Sequence, residues 1–383
     1  MSDIFYGRGT HEQFDDYVDF INYVFGFNGK DSDFTRLLPK LYRPECDPAY
    51  HSFNVVADGR FKAAVGVFPS EQTVCGIKLR CVGIGNVAVH PRARGEGYMR
   101  RLMEMAIDDM IAGGADFSAL GGRRQRYQYF GYDRAGTQYA FTVSADNIRH
   151  CFGNSPIPFK AIPVRADDAD ALDAIAALSA EQPYAPIRPR EELYHILTSW
   201  RAHPWLVIDG GRPVGYAIIN GDNVTEILAR RDEDFIGIVR ALYHAHRSSS
   251  LSIKLPAWQL AYIRALEPIA ESITVGAPEM FSVYCYRRVI EAFLQLKATC
   301  TPLPDGELTA LIHGRAGDEQ LRIAVSGSAI TVEPTDAKPD IELSHLEAMN
   351  YFFAPTCAAR LSAPMHVQLW LPIPIWLYHA DAV

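Results

Sequence analysis

The spacing of apolar residues at the start of the chain changes from the helical period to the strand period and back. Residues 13–27 carry an apolar side chain every three or four positions, which predicts a helix, and a second helix is predicted over residues 33–41. Four strand-like stretches follow, interrupted by turn residues at 58–59 and 69–70: SFNVVA, FKAAVGVF, TVCGIKLR and CVGIGNVAV. Helical spacing returns over residues 97–112. The pattern predicts an antiparallel meander that leads directly into an amphipathic helix.

The next part of the chain repeats this order less clearly. The strand FSALGG, the loop RRQRYQYFGY and the strand QYAFTVSA complete a first unit near residue 145, and the three prolines of FGNSPIPFKAIPV indicate a linker. A helix (LDAIAALSAEQ), a hairpin (WLVIDGGRPVGYAIING) and a strand–helix–strand segment follow, which indicates a weak internal duplication. The repeat has ARRDEDF where the first unit has PRARGEG, so it lacks the glycine turn.

The pattern changes once more near residue 289. A helix, four short strands, another helix and an apolar, proline-rich tail predict a third domain of α+β type. The predicted domains are therefore residues 1–150, 151–288 and 289–383, and the predicted fold class is α+β.

Composition narrows the class of protein without identifying it. The chain has 383 residues, 48% hydrophobic and 21% charged, which is typical of a globular protein. No run of about 18 apolar residues predicts a membrane span, and the polar start lacks the apolar core of a signal peptide. The net charge of −8 argues against a dedicated nucleic-acid binder. Seven scattered cysteines without a CxxC pair favour reduced thiols in the cytoplasm, and we expect no metal site.

The turn after the strand CVGIGNVAV carries the strongest chemical signal. Residues 92–97 (RARGEG) open the helix, and a helix start leaves four N–H groups without partners and carries roughly half a positive charge. Gly95 and Gly97 let an anion approach this backbone, while Arg92 and Arg94 add donors that suit phosphate oxygens. The turn therefore fits a pyrophosphate, although an ordinary helix start with two solvated arginines would have the same residues.

The surroundings of this turn favour one coenzyme. A strand, the pattern R-x-x-G-x-G and an amphipathic helix, preceded by an antiparallel meander, resemble the acetyl-CoA site of the GNAT acetyltransferase superfamily. A Rossmann site would need a parallel βαβ start and an acidic residue after the next strand, and a Walker loop would need GK[ST].

The order of units over the whole chain is similar to that of the enhanced intracellular survival family of N-acetyltransferases. The specific matches are VAVHPRARGEG at 87–97 and RYQYFGY at 126–132. The resemblance implies two GNAT-type mixed-sheet units, the second degenerate, followed by a C-terminal domain like sterol carrier protein. It also implies acetyl-CoA as the cosubstrate and a homo-oligomer, a hexamer by analogy.

Carried over by position, the resemblance assigns coenzyme contacts to residues of the turn and the preceding strand. The backbone of Val87 and Val89 would pair with the pantetheine arm, and the Val89 N–H would also face the thioester carbonyl oxygen. The pyrophosphate loop would consist of Arg92, Arg94, Gly95, Glu96 and Gly97.

The resemblance also implies an acid and a base. Tyr127, the first tyrosine of the Y-x-x-F-G-Y block, would protonate the departing CoA thiolate, which suits a phenol with a pKa of about 10. Packing is the alternative explanation for the aromatic residues of this block. The α-carboxylate of Val383 would take the proton from the substrate ammonium. The chain departs from the family here, because its last residue is not aromatic, and Asp381 is the alternative base.

The resulting hypothesis is an acetyl-CoA-dependent N-acetyltransferase that acts by direct transfer on a primary amine of a small, aminoglycoside-like molecule. Two other classes stay open: a CoA- or lipid-binding carrier without catalysis, and a protein-lysine acetyltransferase. Arginines 123, 124 and 126 beside the acid would contact the 3′-phosphate of CoA or an anionic substrate group, or form a solvated basic loop. Analogy transfers fold better than substrate.

Overall fold

A computed structural model describes residues 4–27 and 32–383, and the strands of this part form three sheets of eight, seven and four strands. The strands are β1 (Ile4–Arg8), β2 (Ser52–Ala57), β3 (Arg60–Val74), β4 (Ile77–Val89), β5 (Phe117–Leu120), β6 (Asp133–Ala135), β7 (Gln138–Ser144), β8 (Lys160–Pro163), β9 (Tyr184–Ile187), β10 (His203–Asp209), β11 (Arg212–Asn220), β12 (Asn223–Ala229), β13 (Ser250–Pro256), β14 (Ser272–Gly276), β15 (Glu279–Val283), β16 (Gly306–Gly314), β17 (Gly317–Ser326), β18 (Ala329–Pro334) and β19 (Ile341–Ser344).

Helices cover the faces of these sheets or connect their strands. The helices are α1 (Phe14–Gly26), α2 (Phe34–Leu37), α3 (Tyr98–Ala112), α4 (Arg124–Tyr127), α5 (Ala145–Phe152), α6 (Ala169–Ala180), α7 (Leu193–Thr198), α8 (Phe235–His246), α9 (Leu260–Leu266), α10 (Tyr286–Ala298), α11 (His345–Ala348) and α12 (Met365–Trp370). The second helix is shorter than the predicted 33–41, because Pro39 disfavours a helical Leu38. Within the described ranges, no helix combines the length and the apolarity that crossing a membrane requires.

The first sheet has the order β1-β2-β3-β4-β5-β15-β6, and β9 pairs with the far end of β3. Strands β2, β3 and β4 form the predicted antiparallel meander, while β4 and β5 are parallel because α3 connects them. Helix α3 buries Leu102, Met103 and Met110 against one face of this sheet. Helix α1 covers the other face, where Tyr17 and Ile21 are fully buried. The predicted antiparallel order and the helix after it are confirmed, but the four predicted stretches form three strands, because TVCGIKLR contains the turn between β3 and β4.

The hairpin of β3 and β4 is longer than the sequence predicts. The turn predicted at residues 69–70 is wrong: β3 runs through them, and the chain reverses at Cys75 and Gly76, whose φ angles are 48° and 83°. Two such residues suit a tight hairpin turn. Pro69 is tolerated because its missing N–H lies on the side of β3 between β2 and β9, where the described residues contribute no partner strand.

The first and second sheets exchange strands. The sequence predicts β7 as the last strand of the first unit, but β7 lies in the second sheet between β14 and β13. In return, β15 inserts between β5 and β6 of the first sheet. The predicted linker contains β8, which pairs with β10. The three domain ranges stay predictions: the first and second sheets each contain strands from both of the first two ranges, while the third sheet lies within the last range.

The second sheet has the order β14-β7-β13-β12-β11-β10-β8 and repeats the central feature of the first. Its strands β12 and β13 are parallel and are connected by α8. The turn between β12 and α8 contains Asp232, Glu233 and Asp234 instead of glycines, and Arg231 is bound to Asp234 at 2.8 Å. Carboxylates at a helix start repel a phosphate, so this unit lacks the anion site predicted for the first.

The third sheet, of order β18-β17-β16-β19, packs with α10 against the first sheet. Phe293 of α10 meets Phe117 of β5 edge-on, with ring centroids 6.2 Å apart. The core of the third sheet is therefore continuous with the first unit. Two mixed-sheet units followed by a smaller domain confirm the predicted α+β class.

The tail after α12 returns from the third sheet to the first. The Ile373 N–H donates to the Phe352 carbonyl at 2.7 Å. Trp376 then packs edge-on against Trp258, and the Tyr184 hydroxyl donates to the Trp376 carbonyl at 3.2 Å. The tail thus contacts all three units before it ends against β4.

A buried ion cluster fixes the tail. Arg188, which follows β9, binds Glu226 of β12 through two hydrogen bonds of 3.0 and 2.8 Å, and Asp381 of the tail through two of 2.9 and 2.8 Å. Side-chain exposure is 5% for Arg188, 1% for Glu226 and 9% for Asp381. The cluster therefore joins both large sheets to the chain end.

Replacing Arg188 by Met should lower the free energy of unfolding by about 3–5 kcal/mol, because it leaves two buried carboxylates without a cation. Denaturant unfolding followed by circular dichroism measures the loss. Arg190→Met is the matched control, since Arg190 pairs with Asp173 at the surface and such a pair contributes about 0–1 kcal/mol. Equal losses in the two variants would contradict the role assigned to the cluster.

Candidate active site

The predicted anion turn at residues 92–97 leads directly into α3. Gly95 and Gly97 have φ angles of +95° and +77°, a backbone conformation that residues with a Cβ rarely adopt. No side chain caps the start of α3 at Gly97, so the first amides of the helix have no side-chain acceptor. The local backbone is therefore suited to receive an anion.

A cavity of about 880 Å³ lies beside this turn. Arg123 and Arg126 of the arginine loop line this cavity. It also brings together most of the predicted coenzyme residues: Val87, Val89, Arg94, Gly95 and Gly97. Arg92 and Glu96 belong to the same turn but lie outside the lining, and both are exposed. The cavity thus has a cationic wall that suits phosphate groups.

The strand before the turn separates from its neighbour. Strand β4 pairs with β5 only from Cys81 to Gly83, and a bulge with a positive φ of 48° at Asn86 bends the rest of β4. The His90 N–H donates to the Lys62 carbonyl of β3 at 2.8 Å. Because successive amides of a strand point in opposite directions, the amides of Val87 and Val89 point away from β3, toward the side on which β4 is no longer paired with β5. This unpaired space beyond the end of β5 is called the gap between β4 and β5.

Tyr127 is the last residue of the short helix α4 and is buried, with 6% of its surface exposed. Its ring lies against Gly122, where an added Cβ would be 2.8 Å from the ring. It belongs to the cluster that contains Ile84 and the apolar face of α3, and it does not itself line the coenzyme cavity. Burial raises the pKa of Tyr127 and Arg126 lowers it, so the phenol keeps its proton at neutral pH.

Residues of the third domain hold the loop that carries Tyr127. Asp133 accepts hydrogen bonds from Arg124 at 2.9 Å and from Asn350, which follows α11, at 2.9 Å. Nε2 of His345 lies 2.8 Å from the carbonyl oxygen of Gly131. Arg124 is therefore an internal partner of Asp133 rather than part of a solvated basic loop, while Arg123 and Arg126 reach the coenzyme cavity.

The chain end lies on the opposite face of the first sheet from α3. An added Cβ at Gly83 would be 2.4 Å from Cγ2 of Val383, and one at Gly85 would be 3.3 Å from the terminal carboxyl carbon. The two glycines of β4 therefore leave room for a docked terminus. Val383 packs against the cluster that contains Phe68. The ring of Phe68 lies beside the same glycine of β4, Gly85, as the terminal carboxyl group.

A second cavity, of about 430 Å³, contains this terminus. Its other carboxylates already have partners: Glu192 binds Arg43, Glu71 binds Lys78, and both oxygens of Asp381 are engaged by Arg188. Among the described residues, no cationic side chain forms an ion pair with the Val383 carboxylate. Of the two candidate bases, Asp381 is bound by Arg188, whereas the Val383 carboxylate has no ion-pair partner among the described residues.

Sequence reasoning missed Glu279, the first residue of β15. The register of β15 with β5 sets it opposite Gly121, and Oε1 lies 3.5 Å from the position of an added Gly121 Cβ. Glu279 and Phe281 are two residues apart on β15, so their side chains lie on the same face of the sheet. Phe281 and Gly83 are both paired with Ala119, so this is also the face of Gly83 and Gly85. Burial raises the pKa of Glu279 to about 7, and the Met280 amide offsets part of that effect. Nothing in the segment APEMFSV distinguishes this acid from an ordinary residue at a strand start.

Glu279→Gln should stabilise the protein at pH 8 and leave its stability almost unchanged at pH 4. A carboxyl group whose pKa rises from 4.5 to about 7 on folding lowers the stability of the folded state as the pH increases through that interval, and the loss persists above it. The difference is at most roughly 3 kcal/mol, from about 1.4 kcal/mol per pH unit. Thermal unfolding of both proteins from pH 4 to 8 measures it, and parallel stability curves would contradict the raised pKa.

The described residues contain no group of three or more His, Cys, Asp or Glu side chains arranged to hold a metal ion.

Comparison with known proteins identifies the class to which this site belongs. Residues 6–135 match the family model described as an acetyltransferase (GNAT) domain. No curated protein matches the chain significantly. The first unit is therefore a GNAT acetyltransferase domain, and the protein is an N-acetyltransferase, an enzyme class whose fold uses an acyl-CoA cosubstrate.

Solved structures extend the likeness to the whole chain. The GCN5-related N-acetyltransferase of Kribbella flavida is 18% identical with a TM-score of 0.68, and the alignment covers 100% of this chain and 99% of that one. A GCN5-related N-acetyltransferase of Anabaena variabilis is 15% identical (TM-score 0.65, 99% of both chains), and Eis1 of Mycobacterium abscessus is 14% identical (TM-score 0.62, 99% of both chains). At these identities the likeness is one of fold.

Proposed function

We propose that the protein transfers the acetyl group of acetyl-CoA directly to a primary amine of a small molecule. The observation that carries this proposal is the arrangement around the gap between β4 and β5. The chain end lies on one face of the sheet, Tyr127 belongs to the cluster on the other face, and the amides of Val87 and Val89 point into the gap.

The coenzyme would bind along this gap. The pantetheine arm would pair with the backbone of Val87 and Val89, and the Val89 amide would stabilise the oxyanion that forms at the thioester carbonyl. The pyrophosphate would bind the uncapped amides of the turn and its arginines, which suit bidentate phosphate contacts. The residues proposed for this loop are Arg92, Arg94, Gly95, Glu96 and Gly97.

Acid and base would act from opposite faces of the sheet. The terminal carboxylate of Val383 would take a proton from the acceptor ammonium, and the neutral amine would attack the thioester carbon. The carbon–sulfur bond would then break, and the thiolate would receive the proton of Tyr127, whose raised pKa keeps that proton available. The second proton of the amine nitrogen would leave to water, and Tyr127 would regain a proton from water. Most of the acceleration would come from holding amine and thioester in reacting geometry.

The acceptor would occupy the 430 Å³ cavity beside the chain end, whose size suits a small molecule. The finer family assignment, to the enhanced intracellular survival family with a sterol-carrier-like third domain and a hexameric assembly, is part of this proposal. A lipid carrier is disfavoured because large side chains such as Trp370, Phe352 and Phe353 are buried in the core of the third domain.

Release of free CoASH tests this function. Purified protein is mixed with acetyl-CoA and one of three amines: kanamycin, 1,4-diaminobutane or a lysine-containing peptide. A thiol reagent should report turnover with a small amine, and mass spectrometry should find the acceptor heavier by one acetyl group. Turnover with the peptide alone would favour a protein-lysine acetyltransferase. Coenzyme binding with none of the amines acetylated would contradict the proposal.

A further inference from the structure

Side chains from two distant parts of the chain hold the last residues of the tail. Lys40 lies shortly after α2, and its Nζ donates hydrogen bonds to the carbonyls of Ala380 at 2.6 Å and Ala382 at 2.7 Å. Nε1 of Trp200 donates to the same Ala382 carbonyl at 3.1 Å. The peptide group of Ala382 is planar and leads directly to Val383, so these two donors fix the plane from which the terminal carboxylate projects.

These contacts anchor the neighbours of the terminal carboxylate without neutralising it. Asp381, between the two anchored carbonyls, is bound by Arg188. Within the part of the chain that the structure describes, Val383 itself has no ion-pair partner. An ion pair would lower the pKa of that carboxylate and weaken it as a base. Holding the adjacent carbonyls fixes its position without pairing it with a cation.

Trp200 makes its contact from a strained backbone. Its φ and ψ angles are 62° and 26°, and Arg201 follows with a φ of 60°. Bulky residues rarely adopt this left-handed conformation, and strain of this kind is typical of functional sites. The indole stacks on His379, with ring centroids 5.7 Å apart, while its N–H reaches Ala382.

Lys40 behaves as a donor to carbonyl groups rather than as half of a salt bridge. Burial lowers the pKa of Lys40 to about 7, Asp381 raises it and Arg188 lowers it. The two carbonyls are the hydrogen-bond acceptors of Nζ among the described residues. Burying the amino group of a lysine is unfavourable unless its N–H groups are hydrogen-bonded, and the two carbonyls accept such bonds from Lys40.

We propose that Lys40 and Trp200 form a clamp that positions the terminal carboxylate for proton transfer. Both are positioning residues, because they act through the peptide groups next to Val383. The proposal rests on the proposed function, which assigns the role of base to that carboxylate.

Carboxypeptidase digestion tests the clamp without reference to catalysis. The initial rate at which Val383 is released, followed by mass spectrometry, should rise at least 10-fold in Lys40→Met. Trp200→Phe keeps an aromatic ring but removes the indole N–H, and should raise the rate roughly 5-fold, the effect of one hydrogen bond. Lys338→Met, at an exposed lysine of the third domain, should match the wild-type protein. Unchanged release in both clamp variants would overturn the proposal.

Kinetics then tests what the clamp positions. Lys40→Met should lower kcat on the order of 10- to 100-fold, since a small displacement of a catalytic group is enough for such a loss, with the Kd for acetyl-CoA unchanged. Trp200→Phe, which is less disruptive to folding, should lower kcat about 5-fold.

The last comparison repeats Lys40→Met in a protein with two glycines appended to Val383, which has no carboxylate at that position. Lys40→Met should then have no further effect on kcat, because residues that act as a unit are not additive. A full loss in both backgrounds would overturn the proposal. If release of Val383 rises but neither Lys40→Met nor the appended glycines alter kcat, the clamp is supported and the base assigned under the proposed function is wrong.

Discussion

Tyr127→Phe is expected to lower kcat by about 10²- to 10⁴-fold and to leave the Kd for acetyl-CoA unchanged, the usual consequence of removing a general acid. The variant keeps the aromatic ring against Gly122, so the packing of the loop survives while the proton that the thiolate needs is lost. Steady-state thiol release measures kcat, and calorimetric titration of acetyl-CoA measures binding.

Tyr129→Phe is the matched control for this experiment. Tyr129 belongs to the same aromatic block and lines the coenzyme cavity, but 60% of its surface is exposed. It should therefore lose little activity. If Tyr127→Phe turns over at the wild-type rate, another group or water supplies the proton, and the assignment of Tyr127 fails even if the enzyme class stands.

Appending two glycines after Val383 should reduce kcat by a similar 10²- to 10⁴-fold, because the carboxylate beside Gly85 becomes a peptide carbonyl that cannot accept the ammonium proton. Val383→Ala keeps a carboxylate in that position and should lose much less. Coenzyme binding should be the same in both proteins, because the terminus lies outside the coenzyme cavity. Equal rates for the extended and the wild-type proteins would remove Val383 from the mechanism.

Gly83→Ala gives an independent test of where the terminus docks. Its new methyl group would be 2.4 Å from Cγ2 of Val383, closer than side chains approach each other, so the chain end must shift and kcat should fall. Combining it with Val383→Ala removes the colliding methyl group and should restore part of the rate. A double variant no better than Gly83→Ala alone would indicate that the damage lies elsewhere in β4.

How much of this site the sequence predicts depends on how local each feature is. The turn at residues 92–97 and the helix after it could be predicted because glycines, a proline and apolar spacing act within a few residues. The face that carries the chain end could not: Gly83 and Gly85 are ordinary in CVGIGNV until a tail some 300 residues away lies over them. Lys40 has no flanking motif, since its partners are backbone carbonyls at the other end of the chain.

The two wrong predictions, the place of β7 and the turn at Pro69, also come from long-range contacts. β7 has the alternation of a strand, and alternation does not say which sheet a strand joins, so its membership of the second sheet could not be read from its residues. Pro69 resembles a turn residue, but the side of β3 on which its N–H would lie has no described partner, and the strand continues through it. In both cases a long-range neighbour outweighed the local preference.

The exchange of β7 and β15 limits where this protein can be divided into fragments. A fragment cut at residue 150 would take β7 away from the second sheet and leave β5 and β6 without the strand between them. Both fragments would then present open hydrogen-bonding edges, which promote aggregation. The second unit, which has carboxylates where the first has glycines, is therefore needed structurally, because the segment after it supplies β15 to the sheet that contains β4.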